Sequence, residues 1–337
     1  MSTNIIFICG HRKCGTTMFA DLFDGHEKLS VFPTDLSIFY GYFPEYINNN
    51  KTTNEQIERL ENVIFLNLKR VFNENILNLD EVVDLKLMRN IFFSNLNRNK
   101  LNEIKHIFIT LLNSFHETIN VDSGNKKWIL VKETSLEIYS IELAELFPES
   151  KFIQLIRDPR DNYSSLKSGS KKHYQLFGES EKHSLFSLIN RYTQGFKSAK
   201  INQNILGEDR YKIVKFEDLC RDSEEVMRNI SNFLGVEYTE NFLTPTVLGK
   251  STIGNNFEGE NFQKISDKNV GRWNERLTQE EAKIIEYHFS HYMEDYGYNL
   301  KYNIKEQHEA AVQFYKWFNY KYLFKDSFSN LNKNLSL

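Results

Sequence analysis

Four short apolar runs rich in β-branched residues recur along the chain, each followed by a turn and then a helical pattern: Asn4–Cys9, Trp128–Lys132, Lys151–Ile156 and Tyr211–Lys215. Continuous apolar strands of this length suit a sheet covered on both faces, and their alternation with helices predicts an α/β fold, a parallel sheet flanked by helices. Between the first two runs, about 45–125, the apolar period is that of a helix: Ile57, Leu60, Ile64, Leu68 and Val71, then Leu101, Ile104, Phe108, Leu111 and Phe115. This stretch reads as a helical insertion covering one end of the sheet.

Beyond residue 216 the pattern is mostly helical, broken by a loop-like stretch over 244–271 with Pro245, Gly249, Gly254, Gly259 and Gly271. The expected organisation is a single domain over 1–300 and an aromatic helical extension over 301–337. In that extension Phe314, Tyr315, Trp317, Phe318, Tyr320, Tyr322 and Phe324 interleave with Lys316, Lys321 and Lys325. Such a stripe can lie on a membrane or stack on bases; the reading adopted is a helix packed on the protein or on a second subunit, which makes a homodimer an expectation to test.

Composition narrows the class. Of 337 residues 40% are hydrophobic, and only 15 are Gly and 5 Pro, which excludes collagenous and mostly disordered chains. Basic residues number 42 against 45 acidic, a net charge of −3, so no generic grip on nucleic acid or an anionic membrane is expected and any phosphate site is local. Cys9, Cys14 and Cys220 are too few and too scattered for a disulfide scaffold or a zinc site, and a cytoplasmic location is expected. The first apolar run is too short for a signal-peptide core or a membrane span, so no transmembrane segment is expected.

The chemistry concentrates after the first strand, where Cys9-Gly10-His11-Arg12-Lys13-Cys14-Gly15-Thr16-Thr17 leads into an amphipathic helix. Strand, glycine loop and helix start form an anion cradle, because unpaired backbone N–H groups and the helix dipole point at the loop. Gly10 and Gly15 keep the spacing of a Walker A loop, but Thr16 stands where that motif has its lysine, and the lysine sits three places earlier as Lys13. A kinase site uses that lysine and Mg²⁺ against β- and γ-phosphate charge. A sulfuryl group carries less charge, so lysine and backbone donors suffice without a metal.

A second cluster lies at the end of the Lys151–Ile156 strand, in Arg157-Asp158-Pro159-Arg160-Asp161 followed by Ser164 and Ser165. Pro159 suits the first helical position and Asp158 the N-cap, placing Arg157 at the carboxyl edge of a strand, where α/β folds bind nucleotides.

Lys13-Cys14-Gly15-Thr16-Thr17 resembles the 5′-phosphosulfate loop of the sulfotransferases that use 3′-phosphoadenosine-5′-phosphosulfate (PAPS) and release the bisphosphate PAP. The resemblance implies a P-loop-like sulfotransferase fold and a donor held by Arg12, Lys13, Cys14, Gly15, Thr16 and Thr17. It further implies that Arg157 and Ser165 bind the donor's 3′-phosphate. Val214-Lys215-Phe216-Glu217-Asp218-Leu219 resembles a family strand that ends in Tyr-Glu-Asp-Leu, which puts Phe216 near adenine. Asn269-Val270-Gly271-Arg272-Trp273 resembles a late loop closing over the donor, with Lys268, Gly271 and Arg272 as donor contacts. Matches span roughly 5–290, with the insertion and the C-terminal stripe only loosely alike.

For catalysis the resemblance implies Lys13 at the leaving group and Lys132, ending the second strand, beside the sulfuryl group. For the acceptor base it points to Asp35, in Gly25-His26…Pro33-Thr34-Asp35, where relatives carry a Glu one methylene longer. Glu133, His26 and His11 stay open as alternatives. The expected enzyme moves a sulfuryl group from PAPS to a hydroxyl, less readily an amine, of a small-molecule or carbohydrate acceptor, with no metal. Rival readings are a Mg²⁺-dependent nucleotide kinase and a non-catalytic nucleotide-binding protein. Tyr40, Tyr42, Phe43 and Tyr46 offer an aromatic wall for an acceptor of unspecified class.

Overall fold

The computed structural model describes residues 4–36, 38, 39, 51–69, 79, 82–121, 125–170, 181–251 and 264–319. Two compact units emerge, the first of Met1–Ile156 with Ser198–Asp267 and the second of Arg157–Lys197 with Lys268–Leu337.

The first unit is built on a five-stranded parallel sheet of order β2-β3-β1-β4-β5, with β1 at Ile5–Cys9, β2 at Leu29–Val31, β3 at Trp128–Lys132, β4 at Lys151–Ile156 and β5 at Tyr211–Lys215. Four of these strands are the four apolar runs. The fifth, β2, is three residues with Ser30 at its centre, too short and too polar to show a pattern, and it is recruited as an edge by pairing with β3. Strand order turns back at β1, which has β3 on one side and β4 on the other; ligand sites in open α/β sheets lie at the carboxyl ends of the strands at such a switch.

Every β1 side chain is buried, as a central strand with both faces covered requires. Phe7 centres an aromatic core, with Phe152 stacked at 5.2 Å and Phe39, Phe108 and Phe147 within 6.0 Å. Phe108 belongs to the helix Ile104–Thr118, so this part of the 45–125 stretch packs against the central strand of the sheet. The helix Thr53–Leu60 opens on a capping box between Thr52 and Glu55, and Leu85–Asn95 on the Asp84 side chain, each supplying acceptors for first-turn N–H groups. Tyr40, Tyr42, Phe43, Tyr46 and Val71 lie outside the described residues.

The second unit is helical: Pro159–Ser170, the Glu181–Lys197 part of a helix that runs on to Leu206, Trp273–Arg276, Gln279–Asp295 and Ile304–Asn319. Tyr192, Phe196 and Phe289 form its interior, with Phe196 stacked on Tyr292 at 5.8 Å. The C-terminal stripe packs on the protein where it is described: Phe314 is buried, Phe318 stacks on Phe186 at 4.3 Å, and Lys182 Nζ lies 4.3 Å from the Trp317 ring centre. Tyr320, Lys321, Tyr322, Phe324 and Lys325 are outside the described residues. No helix among the described residues is long and apolar enough to cross a membrane.

Candidate active site

In the first unit the loop between β1 and the helix Thr16–Asp21 is held by backbone geometry that its glycines permit. Gly10 has φ of 141°, and a Cβ there would collide with the Leu155 carbonyl of the neighbouring strand. Gly15 has φ of 92°, and a Cβ there would lie 2.5 Å from Phe216 Cδ2. Between them Lys13 adopts the left-handed region at φ 69°, uncommon for a residue with a side chain. A turn from the Cys14 N–H to the His11 carbonyl, 3.0 Å, closes the loop, and no side chain caps the helix that follows. Phe216, aligned with adenine by resemblance, lies with its ring against Gly15 and is buried.

Two sequence candidates distant along the chain meet beside this loop. Lys132 Nζ is 2.5 Å from Asp35 Oδ2 and donates to Thr17 Oγ1 at 3.1 Å, so one buried ammonium joins the candidate base to the candidate donor loop. The other oxygen, Asp35 Oδ1, accepts from the Thr134 N–H at 3.1 Å and its hydroxyl at 3.3 Å. Lys132 is 6% exposed while the Asp35 side chain is 32% exposed, so the carboxylate faces the open side of the pair.

Asp21 and Glu137 were not singled out from the sequence. Asp21 follows Thr17 by one helical turn, and burial pushes its carboxyl well up, an effect countered by Lys132 and reinforced by Asp24. Glu137, fully enclosed, is pushed up to about 7 by burial, with the Gly10 N–H among the groups that oppose the rise. Both are acidic residues inside otherwise ordinary amphipathic stretches, and nothing in their local pattern sets them apart.

Of the alternatives, His26 is engaged away from the pair. His26 accepts from the Lys28 N–H on Nδ1 at 3.1 Å, which leaves Nε2 to donate to the Glu237 carbonyl at 3.0 Å, and its ring stacks on Phe242 at 5.1 Å. A histidine with both nitrogens so used holds a turn in place. His11 and Glu133 are buried, His11 completely.

In the second unit the segment after β4 forms as its residue types dictate. Pro159 is the first helical residue, and Asp158 Oδ1 accepts from the Arg160 N–H at 2.8 Å. The buried Arg157 exchanges bonds of 2.6 Å with the Tyr192 hydroxyl through its N–H and carbonyl, and its guanidinium donates to the Asn269 carbonyl at 2.7 Å. Asp161 accepts from the N–H groups of Gly271 at 2.5 Å and Trp273 at 2.8 Å. Arg157 and the late glycine loop, matched separately in sequence, are thus brought together, and Arg272 donates to Asn269 Oδ1 at 3.2 Å. Burial pushes Asp161 up to about 6 against the opposing pull of Arg157. Ser165 is half-buried, and Lys268 is exposed.

Arg160 anchors this frame. It pairs with Asp158 at 2.6 Å and Glu286 at 2.7 Å, all three side chains under 10% exposed, and its guanidinium lies 4.1 Å from the Trp273 ring centre. Sequence alone marked Arg160 and Asp161 only as neighbours of Arg157; their bonds to Glu286, Gly271 and Trp273, over 100 residues away, carry no local signal. Among the described residues no group of three or more His, Cys, Asp or Glu is placed to hold a metal ion.

Comparison with known proteins gives a consistent answer. The profile of the sulfotransferase family matches residues 5–240. The omega-hydroxy-beta-dihydromenaquinone-9 sulfotransferases Stf3 of Mycobacterium bovis and Mycobacterium tuberculosis are 22% identical over 179 residues, 52% of this chain but only 42% of theirs. In fold, the chain is similar to the sulfotransferase domain of the Synechococcus PCC 7002 olefin synthase, with TM-score 0.56, 19% identity and coverage of 89% of this chain and 97% of that one. The sulfotransferase domain from the curacin biosynthetic pathway gives TM-score 0.55, 16% identity and coverage of 89% and 99%.

Proposed function

The chain belongs to the sulfotransferase family, and from that membership we propose that it moves a sulfuryl group from PAPS to a hydroxyl, less readily an amine, of a small-molecule or carbohydrate acceptor by in-line transfer. The observation that carries the reading is the Lys132–Asp35 pair joined to Thr17 in the first turn of the helix after the Gly10–Gly15 loop, which sets a candidate base and a cation beside the candidate donor cradle.

Asp35 takes the acceptor's proton, and its exposed side gives the acceptor access. Lys132 neutralises charge on the sulfuryl oxygens, and Lys13 neutralises the leaving phosphate oxygen as the bond to sulfur breaks. Arg12 and the backbone from Cys14 to Thr17 cradle the 5′ side. Arg157 and Ser165 hold the 3′-phosphate, Phe216 borders the nucleotide, and Lys268, Gly271 and Arg272 close over it. No metal is required, because lysines and backbone donors supply the compensating charge. A hydroxyl on an apolar body is the acceptor to try first, given the hydroxylated menaquinone in the relatives' name.

Calorimetry with PAP in the presence of EDTA tests the donor assignment: saturable binding is expected, and binding that appears only with Mg²⁺ would support a kinase instead. Radiolabelled PAPS offered with a long-chain alcohol, 4-nitrophenol and trehalose then tests transfer and sorts acceptor classes.

A further inference from the structure

Asp35 can act as a base only if one of its oxygens is presented to the acceptor in a fixed direction, and the structure contains a device for that. We propose that Thr134 is the positioning residue for Asp35, fixing Oδ1 so that Oδ2 is the oxygen that receives the acceptor's proton; this rests on the reading of Asp35 as the base.

Thr134 lies just beyond β3, two residues after Lys132. Its neighbours are tied to the strand and loop that carry the donor cradle: the Glu133 N–H donates to the Ile8 carbonyl at 3.0 Å and the Ser135 N–H to the Gly10 carbonyl at 2.9 Å. The peptide between those anchors has little freedom, so the Thr134 N–H and hydroxyl converge on Asp35 Oδ1 from a rigid support. A carboxylate held at one oxygen by two donors has lost its rotation about Cβ–Cγ, a preorganisation that catalysis rewards. The remaining oxygen meets Lys132, which also donates to Thr17 in the first turn of the helix after the loop. Gly10, Thr134 and Asp35 therefore form a continuous mechanical link from the donor loop to the base.

The acceptor O–H gives its proton to Asp35 Oδ2, the acceptor oxygen forms a bond to sulfur, and the bond from sulfur to the bridging phosphate oxygen breaks, its electron pair leaving with PAP. The proton is later lost to water. Thr134 exchanges no atom; it acts through Asp35 alone.

The test compares Thr134→Val, which keeps the shape and removes the hydroxyl, with Thr134→Ser, which restores it, and with Asp35→Asn. PAP release from PAPS is followed with a pool of 1-dodecanol, 4-nitrophenol and trehalose, so that transfer to any of them or to water is counted, and PAP affinity is measured by calorimetry. Loss of one hydrogen bond to a charged group corresponds to a fall in kcat of about tenfold in Thr134→Val, with PAP affinity within about twofold of wild type and recovery to within about threefold in Thr134→Ser. Wild-type kcat in Thr134→Val alongside a disabled Asp35→Asn would overturn the positioning role and leave the base assignment standing. An active Asp35→Asn would remove the base and the positioning role together, as would the absence of PAP release by the wild type. If Thr134→Val loses PAP binding as well, and Thr134→Ser does not recover kcat, Thr134 is a support of the loop and the proposal fails.

Discussion

Lys132 and Asp35, 97 residues apart in sequence, face each other at 2.5 Å beside the loop that begins at Gly10. The pair is unequal: the ammonium is buried, the carboxylate a third exposed. Two consequences separate chemistry from stability. Asp35→Asn keeps the shape and the bonds from Thr134, and turnover is expected to fall by at least about a hundredfold with PAP affinity unchanged. Lys132→Ala leaves the carboxylate without its cation, and a loss of about 1–3 kcal/mol in stability is expected besides the loss of turnover, less than for a fully buried pair because water reaches Asp35. Steady-state kinetics and urea unfolding of the two variants separate these outcomes; equal stability in both would contradict the role given to Lys132 in holding the pair.

Gly15→Ala combines a disfavoured φ of 92° with a methyl placed 2.5 Å from Phe216 Cδ2. PAP affinity is expected to fall about tenfold or more, with a stability cost of about 1–3 kcal/mol. Adding Phe216→Ala removes the collision but not the backbone strain, so the double variant should be less destabilised than the sum of the singles. Strict additivity would show that ring and glycine do not communicate.

Arg160 neutralises two buried carboxylates at once, Asp158 and Glu286. Arg160→Met should cost about 3–5 kcal/mol, because it strands both charges rather than because the ion pairs were strongly favourable to begin with. Thermal unfolding reads this out, and adding Glu286→Gln to Arg160→Met should recover part of the loss.

Glu137 supplies a pH dependence whose sign follows from its burial. Its folded value, pushed up to about 7 from 4.5, means that the folded protein holds this proton more tightly than the unfolded chain. The stability it contributes is full below about pH 4.5 and declines as pH rises to about 7, by roughly a few kcal/mol in all. Glu137→Gln should flatten that part of the stability profile while keeping the volume of the buried side chain. Urea midpoints between pH 4.5 and 8 check it; an unchanged slope would place the titration elsewhere.

What the sequence by itself determined is local and periodic. The central strands, the Gly10–Gly15 loop, the Asp158 cap and the Pro159 helix start follow from residue types within a few positions of one another, and the family motif at Lys13–Thr17 needs no folding to be read. Asp35, Lys132 and Arg157 were legible as candidates because each sits in such a local frame. Tertiary structure decided which groups those candidates meet. Thr134 grips Asp35 because β2 runs parallel to β3 with Val31 opposite Leu130, so that the residues four places beyond each meet, and Asp161 reaches Gly271 and Trp273 because the chain returns after more than 100 residues. The three-residue β2 exists only as an edge added to β3. Burial raised the carboxyl pKa of Glu137 and of Asp161, a shift that depends on how much water the folded chain excludes and on no pattern along it.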